Sequence, residues 1–144
     1  MKISYVLLTM VMFTTQFPTF AQNLDEFRWK NRIIVVYAGD SDNEQFTSQI
    51  ALLESSLPEL KERKLILLKA DDHRITDQYN QRYDAALHEE LRELKKEGSG
   101  FEILLIGLDG GVKMRKTKVV ERSEIFGLID TMPMRRAEMD HDKK

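Results

Sequence analysis

The chain has 144 residues, 22 basic and 24 acidic side chains, and a net charge of −2. That length suits one domain, and the charge balance excludes general electrostatic binding of nucleic acid. There is no cysteine, which excludes disulfides, thiol redox and peroxidase chemistry, and lipid attachment through a thiol.

In chain order, Lys2 is followed by the apolar run Ile3 to Phe13 and then by Thr19-Phe20-Ala21. A short positive region, an apolar segment and small residues at the cleavage positions read as an export leader. The apolar segment is too short for a stable anchor, which needs about 20 residues. Cleavage is expected after Ala21, leaving a mature chain from Gln22 that is not membrane-anchored and lies in the periplasm or outside the cell.

Residues 22–132 read as a single domain. Asn23 to Arg32 is a polar lead-in with Leu24, Phe27 and Trp29 as its apolar contacts. Ile33 to Ala38 is an unbroken apolar run rich in β-branched residues, the pattern of a strand buried on both faces. Phe46, Ile50, Leu53 and Leu57 recur at helical spacing, and Pro58 interrupts that helix. Ser56 and Glu59 then offer a cap for a short turn through Arg63. Leu65 to Ala70 is a second buried strand.

Tyr79, Tyr83, Leu87, Leu91 and Leu94 predict a helix within Asp77 to Glu97, stopped by Gly98. Phe101 to Leu108 is a third strand, and Asp109-Gly110-Gly111 signals a tight hairpin. The returning strand, Val112 to Arg115, alternates apolar and basic residues. Ser123 is placed to cap a last helix whose Ile125, Phe126, Leu128, Ile129 and Met132 face inward. Pro133 ends it, and residues 133–144 read as a polar tail.

The order is β-α-β-α-β-β-α. The helical crossover makes the first two strands parallel, and the last two form an antiparallel hairpin. The expected architecture is a thioredoxin-like α/β fold, a mixed four-stranded sheet with helices on both faces.

Three stretches, LDEFRWKNRIIVVYA, LLIGLDGGVKMR and EIFGLIDTMPMRR, resemble a bacterial exported family of unknown function. The cores of those stretches are FRWKNR, GLDGGVK and IDTMPMRR. Related domains occur in the vertebrate extracellular Dro1/URB/equarin proteins and in sushi-repeat proteins. The resemblance spans Leu24 to about Arg136 and implies a thioredoxin- or peroxiredoxin-like fold, without an assigned reaction. Redox-active members of that fold place Cys-x-x-Cys after the first core strand; here Ser41 and Glu44 stand at that spacing.

No catalytic residue and no cofactor are assigned. Ser41-x-x-Glu44 fits a capping box, with Asp42 and Gln45 as an equally good register. The sharper reading is a cation site of Asp40 and Asp42 with Asp71 and Asp72, serving a metal protein or an enzyme. Gln45 and Ala51, however, stand where a calcium loop needs glycine and glutamate. His73, His88 and His141 lack zinc-ligand spacing. Trp29 amid Arg28, Lys30 and Arg32 reads either as a clamp on the core or as a ligand contact. In the second case Lys113 and Arg115, with Arg135-Arg136, would contribute arginine and lysine heads for an anion or glycan. The leading expectation is a non-redox module that binds an envelope protein or an anionic polymer.

Overall fold

β1 (Arg32–Ala38) forms the middle of the sheet, and all seven of its residues are buried, as an unbroken β-branched run requires. The computed structural model describes residues 23–143; the expected leader lies outside the described residues. β1 pairs in parallel with β2 (Leu65–Ala70), with Ile33 opposite Ile66 and Tyr37 opposite Ala70. On its other side it pairs antiparallel with β4 (Phe101–Ile106), Val35 opposite Leu104. β4 turns back into β5 (Val112–Lys116), Leu105 opposite Met114. A short β3 (Ile75–Asp77) lies antiparallel to β2 and completes the order β3-β2-β1-β4-β5.

Thus the sheet has five strands rather than the expected four. The extra strand comes from residues next to, and partly within, the stretch predicted as helix. The Asp71 carboxylate accepts the amides of His73 and Arg74, and the Asp77 carboxylate accepts those of Tyr79 and Gln81. These local bonds reverse the chain before it can coil. Tyr79 therefore points to solvent, 68% exposed, instead of into the core. The helix starts only at α3 (Ala85–Leu94), where the Asp84 side chain accepts the Leu87 amide.

The two faces of the sheet are covered separately. α1 (Glu44–Glu54), α2 (Leu57–Glu62) and α4 (Arg122–Thr131) pack on Ile34, Val36, Leu67, Ile103 and Leu105. α3 packs on Ile33, Val35, Leu68 and Leu104. The cap of α1 is Asn43, whose side chain accepts the Phe46 amide at 3.1 Å, and not Ser41 or Asp42. The helix breaks where Pro58 predicts: α1 stops at Glu54 and α2 starts afresh from Ser56, with Pro58 in its first turn, where a missing N–H costs nothing, although the Ser56 side chain makes no cap hydrogen bond. α4 begins at Arg122, one residue before Ser123, which caps nothing.

The expected polar tail is also corrected. Pro133 starts a further helix, α5 (Pro133–His141), in which Arg135 is only 2% exposed. Arg135 bonds Asp130 at 3.2 Å and Glu62 at 2.5 Å, and Arg63 bonds Asp130 at 2.6 Å. Burial alone would push the Asp130 carboxyl up, but hydrogen bonds from Arg63 and Arg135 hold it below its ordinary value. A helix with so polar a composition is held by this ionic clasp more than by apolar burial. Among the described residues no helix is long and apolar enough to cross a membrane.

Candidate functional site

The domain has two poles. At the carboxyl ends of β1 and β2 lie the residues weighed as a cation site. Asp40 accepts the Asp42 amide at 3.1 Å, and both residues are exposed. Asp71 closes its own turn and also meets Arg74 Nε at 3.2 Å. Asp72 accepts the Tyr37 hydroxyl. The carboxylates of Asp40, Asp71 and Asp72 are thus engaged with separate partners, and no group of three metal-ligating side chains occurs among the described residues. Burial, reinforced by the Asp72 hydrogen bond, pushes the Tyr37 hydroxyl up to about 12, so it stays protonated and donates. Lys95 Nζ sits 4.0 Å from the centre of the same ring. His88 Nε2 lies 2.8 Å from the Asp71 carbonyl oxygen, so it braces that turn.

The opposite pole gathers most of the predicted ligand-contact residues. The lead-in is coiled, and only some of its expected apolar contacts reach the core. Asn23 caps a single 3₁₀ turn, Leu24–Glu26, and the Phe27 carbonyl then accepts the amides of both Lys30 and Asn31. The roll sends Phe27 inward, 6.0 Å from the Tyr83 ring. It sends Trp29 outward, 60% exposed. Trp29 is therefore no clamp on the core. Its backbone sits at φ +65°, a region that bulky residues seldom adopt, and its amide donates to the Leu108 carbonyl at 2.7 Å.

Arg28 lies 5.8 Å from the indole centre and 3.8 Å from Asp25. It also runs along Gly110, where a Cβ would lie 3.6 Å from Arg28 Nε and where φ is +82°. Across the hairpin, Lys113 bonds Asp109 at 2.7 Å. That bond, together with the Gly111 amide, holds the Asp109 carboxyl below its usual value. Lys113 passes so close to Gly107 that a Cβ there would come within 2.6 Å of its Cε.

Two clefts open beside this turn. One, of about 650 Å³, lies between the lead-in, α3 and the hairpin, and is lined by Phe27, Arg28, Glu90, Glu93 and Gly110 among others. The other, of about 350 Å³, is mostly apolar and includes Leu108, Lys113, Met132, Pro133 and Met134. Both sizes fall in the range of small-ligand sites. Arg28, Trp29, Lys30 and Lys113 share this pole; Arg115 does not act with them. It donates to Glu102, which is 1% exposed, and to the Leu94 carbonyl at 2.8 Å. Arg135 is likewise internal to the clasp. Sequence reasoning missed Met134, 44% exposed, because the α5 segment carries no apolar period that would announce a helix.

A thioredoxin-like sheet with no thiol and with an exposed tryptophan beside the hairpin defines the class: a cysteine-free thioredoxin-like domain. Within that class, the chain belongs to the family described as domain of unknown function DUF4174, which matches residues 23–138. Among solved structures it is similar to the reduced 2-Cys peroxiredoxin of Plasmodium vivax, at 17% identity and a TM-score of 0.52, over 84% of this chain and 85% of that chain. It is also similar to the mitochondrial 2-Cys peroxiredoxin of Plasmodium falciparum, at 12% identity and a TM-score of 0.48, over 84% of each chain. The first likeness bears on the fold alone. Without cysteine, this chain lacks the thiols that the name 2-Cys denotes. No curated relative matches the sequence.

Proposed function

We propose that this protein is an exported, non-redox binding module of the cell envelope that meets its partner at the hairpin pole. The observation that carries this reading is Trp29, held outward at φ +65° and 60% exposed beside two clefts. Strained backbone at an exposed aromatic is the kind of local cost that binding sites retain, and tryptophan is a frequent anchor of interfaces. The leader pattern, Lys2 to Ala21, supports export, as does the resemblance to exported bacterial proteins.

Charge sharpens the partner. Arg28 faces Asp25, Lys113 faces Asp109, and Glu90 and Glu93 line the larger cleft. With two of the pole's three cations matched, only Lys30 lacking an ion pair among the described residues, and with two carboxylates lining the larger cleft, the pole favours aromatic stacking on a polar, uncharged surface of a protein or glycan over attraction to a polyanion. Sedimentation of the purified protein with isolated envelopes tests this. Trp29→Ala should lower the bound fraction about tenfold, as loss of an interface anchor does, while Lys118→Ala should bind normally. Equal sedimentation of Trp29→Ala and wild type would end the proposal. Export is checked separately by mass spectrometry: an N-terminus at Gln22 is expected, and one at Met1 contradicts it.

A further inference from the structure

A third cleft stands at the other pole and is independent of the hairpin. Lys69 on β2 lies directly opposite Thr76 on β3, and Thr76 lies directly opposite Arg82. Residues so paired send their side chains to the same face of a sheet, about 5 Å apart. Lys69, Thr76 and Arg82 therefore form one row across the open edge of the sheet. By alternation with Leu65 and Leu67 that row faces α1, and Lys69 Nζ confirms the side by meeting Glu54 of α1 at 2.9 Å.

The row lines a cleft of about 380 Å³ together with Ser41, Asp71 and Arg74, and with Phe46 from the first turn of α1. Two of its three cations are matched: Lys69 by Glu54 and Arg74 by Asp71. Arg82 has no side-chain partner among the described residues, and neither do the hydroxyls of Ser41 and Thr76. One unmatched guanidinium and two hydroxyl donors thus line one cleft beside the first turn of α1, whose N-terminus adds its own positive dipole.

From this arrangement we propose that the cleft binds one oxyanion group, a phosphate or sulfate, either free or as a monoester. The guanidinium fork of Arg82 matches two oxygens of such a group. Ser41 and Thr76 donate to the others, while Lys69 and Arg74 stay paired with Glu54 and Asp71. The single unmatched positive charge selects one anionic group over a polyanionic chain.

Calorimetric titration of the purified protein with inorganic phosphate, sulfate and glucose 6-phosphate, at constant ionic strength made up with chloride, tests the site. Saturable binding of at least one of these is expected. Arg82→Ala should weaken it about tenfold, as loss of a charge-assisted bond does, and Thr76→Val should weaken it by a smaller factor. Arg82 is exposed, so its replacement should leave the melting temperature unchanged, and Lys118→Ala should bind as wild type. Tighter binding of glucose 6-phosphate than of phosphate supports a monoester ligand; the reverse order supports the free ion. Heats no larger than those of chloride, or equal affinity in Arg82→Ala, would overturn the proposal.

Discussion

Arg32 at the head of β1 donates from Nη1 to the Glu138 carboxylate of α5 at 3.2 Å, across 106 positions of chain. Arg32 is 1% exposed, and its Nε has no hydrogen-bond partner. The Glu138 contact and the bond to the Arg63 carbonyl at 2.9 Å therefore carry the charge of this buried guanidinium. Glu138→Ala should destabilise the fold by about 3 kcal/mol, the cost of leaving a buried charge unmatched. Replacing both, Arg32→Met with Glu138→Leu, should recover most of that loss. Urea denaturation of the three proteins checks both statements.

Arg115 tests the division between structural and binding cations. Glu102 is almost fully buried and takes Arg115 as its ionic partner, with the Lys96 amide at 2.9 Å as a further donor. Arg115→Ala should cost about 3 kcal/mol and leave envelope binding unchanged when the folded fraction is compared. Adding Glu102→Gln should restore much of the stability, because it removes the stranded charge.

Much of this architecture is legible in the sequence, and the rest fails for identifiable physical reasons. The buried runs at Ile33–Ala38, Leu65–Ala70 and Phe101–Ile106 are strands where composition places them, because unbroken β-branched and aliphatic stretches have few other homes. The segment around Ile75–Gln81 misleads, since Tyr79 and Tyr83 keep helical spacing while Asp71 and Asp77 bind the backbone and reverse it. α5 misleads because its stability is ionic, from Arg135 and Glu138, and leaves no hydrophobic period. The cap shifts by two residues, from Ser41 to Asn43, because both side chains suit the role and only the path of the loop decides between them. Trp29 and Lys113 lie at the same pole while Arg115 turns to Glu102, a separation the sequence hides because strand alternation says nothing about a buried carboxylate on the neighbouring strand.

Tyr37 predicts an alkaline limit. Its hydroxyl, buried and bonded to Asp72, ionises near 12 in the folded chain against 10 for an ordinary tyrosine. The stability this protonated group contributes is complete below pH 10 and is lost as pH rises through 12. The gap in stability between wild type and Tyr37→Phe should therefore stay constant up to pH 10 and shrink between pH 10 and 12. Denaturation curves collected across that range measure it.

Trp29 predicts a conflict between stability and binding. Its positive φ costs about 1 kcal/mol for a residue with a side chain, and an exposed indole recovers little of that by burial. Trp29→Gly should raise stability by about 0.5 to 1 kcal/mol while removing envelope binding. The melting temperature and the sedimentation assay should move in opposite directions.

Trp29 is the sole tryptophan of the chain, so tryptophan emission, excited selectively over the tyrosines, reports on the hairpin pole alone. The free protein should be strongly quenched by acrylamide, and addition of isolated envelopes should shift the emission to shorter wavelength and protect it from the quencher. Equal quenching with and without envelopes, under conditions where the protein sediments with them, would show that the contact lies elsewhere and would contradict the account.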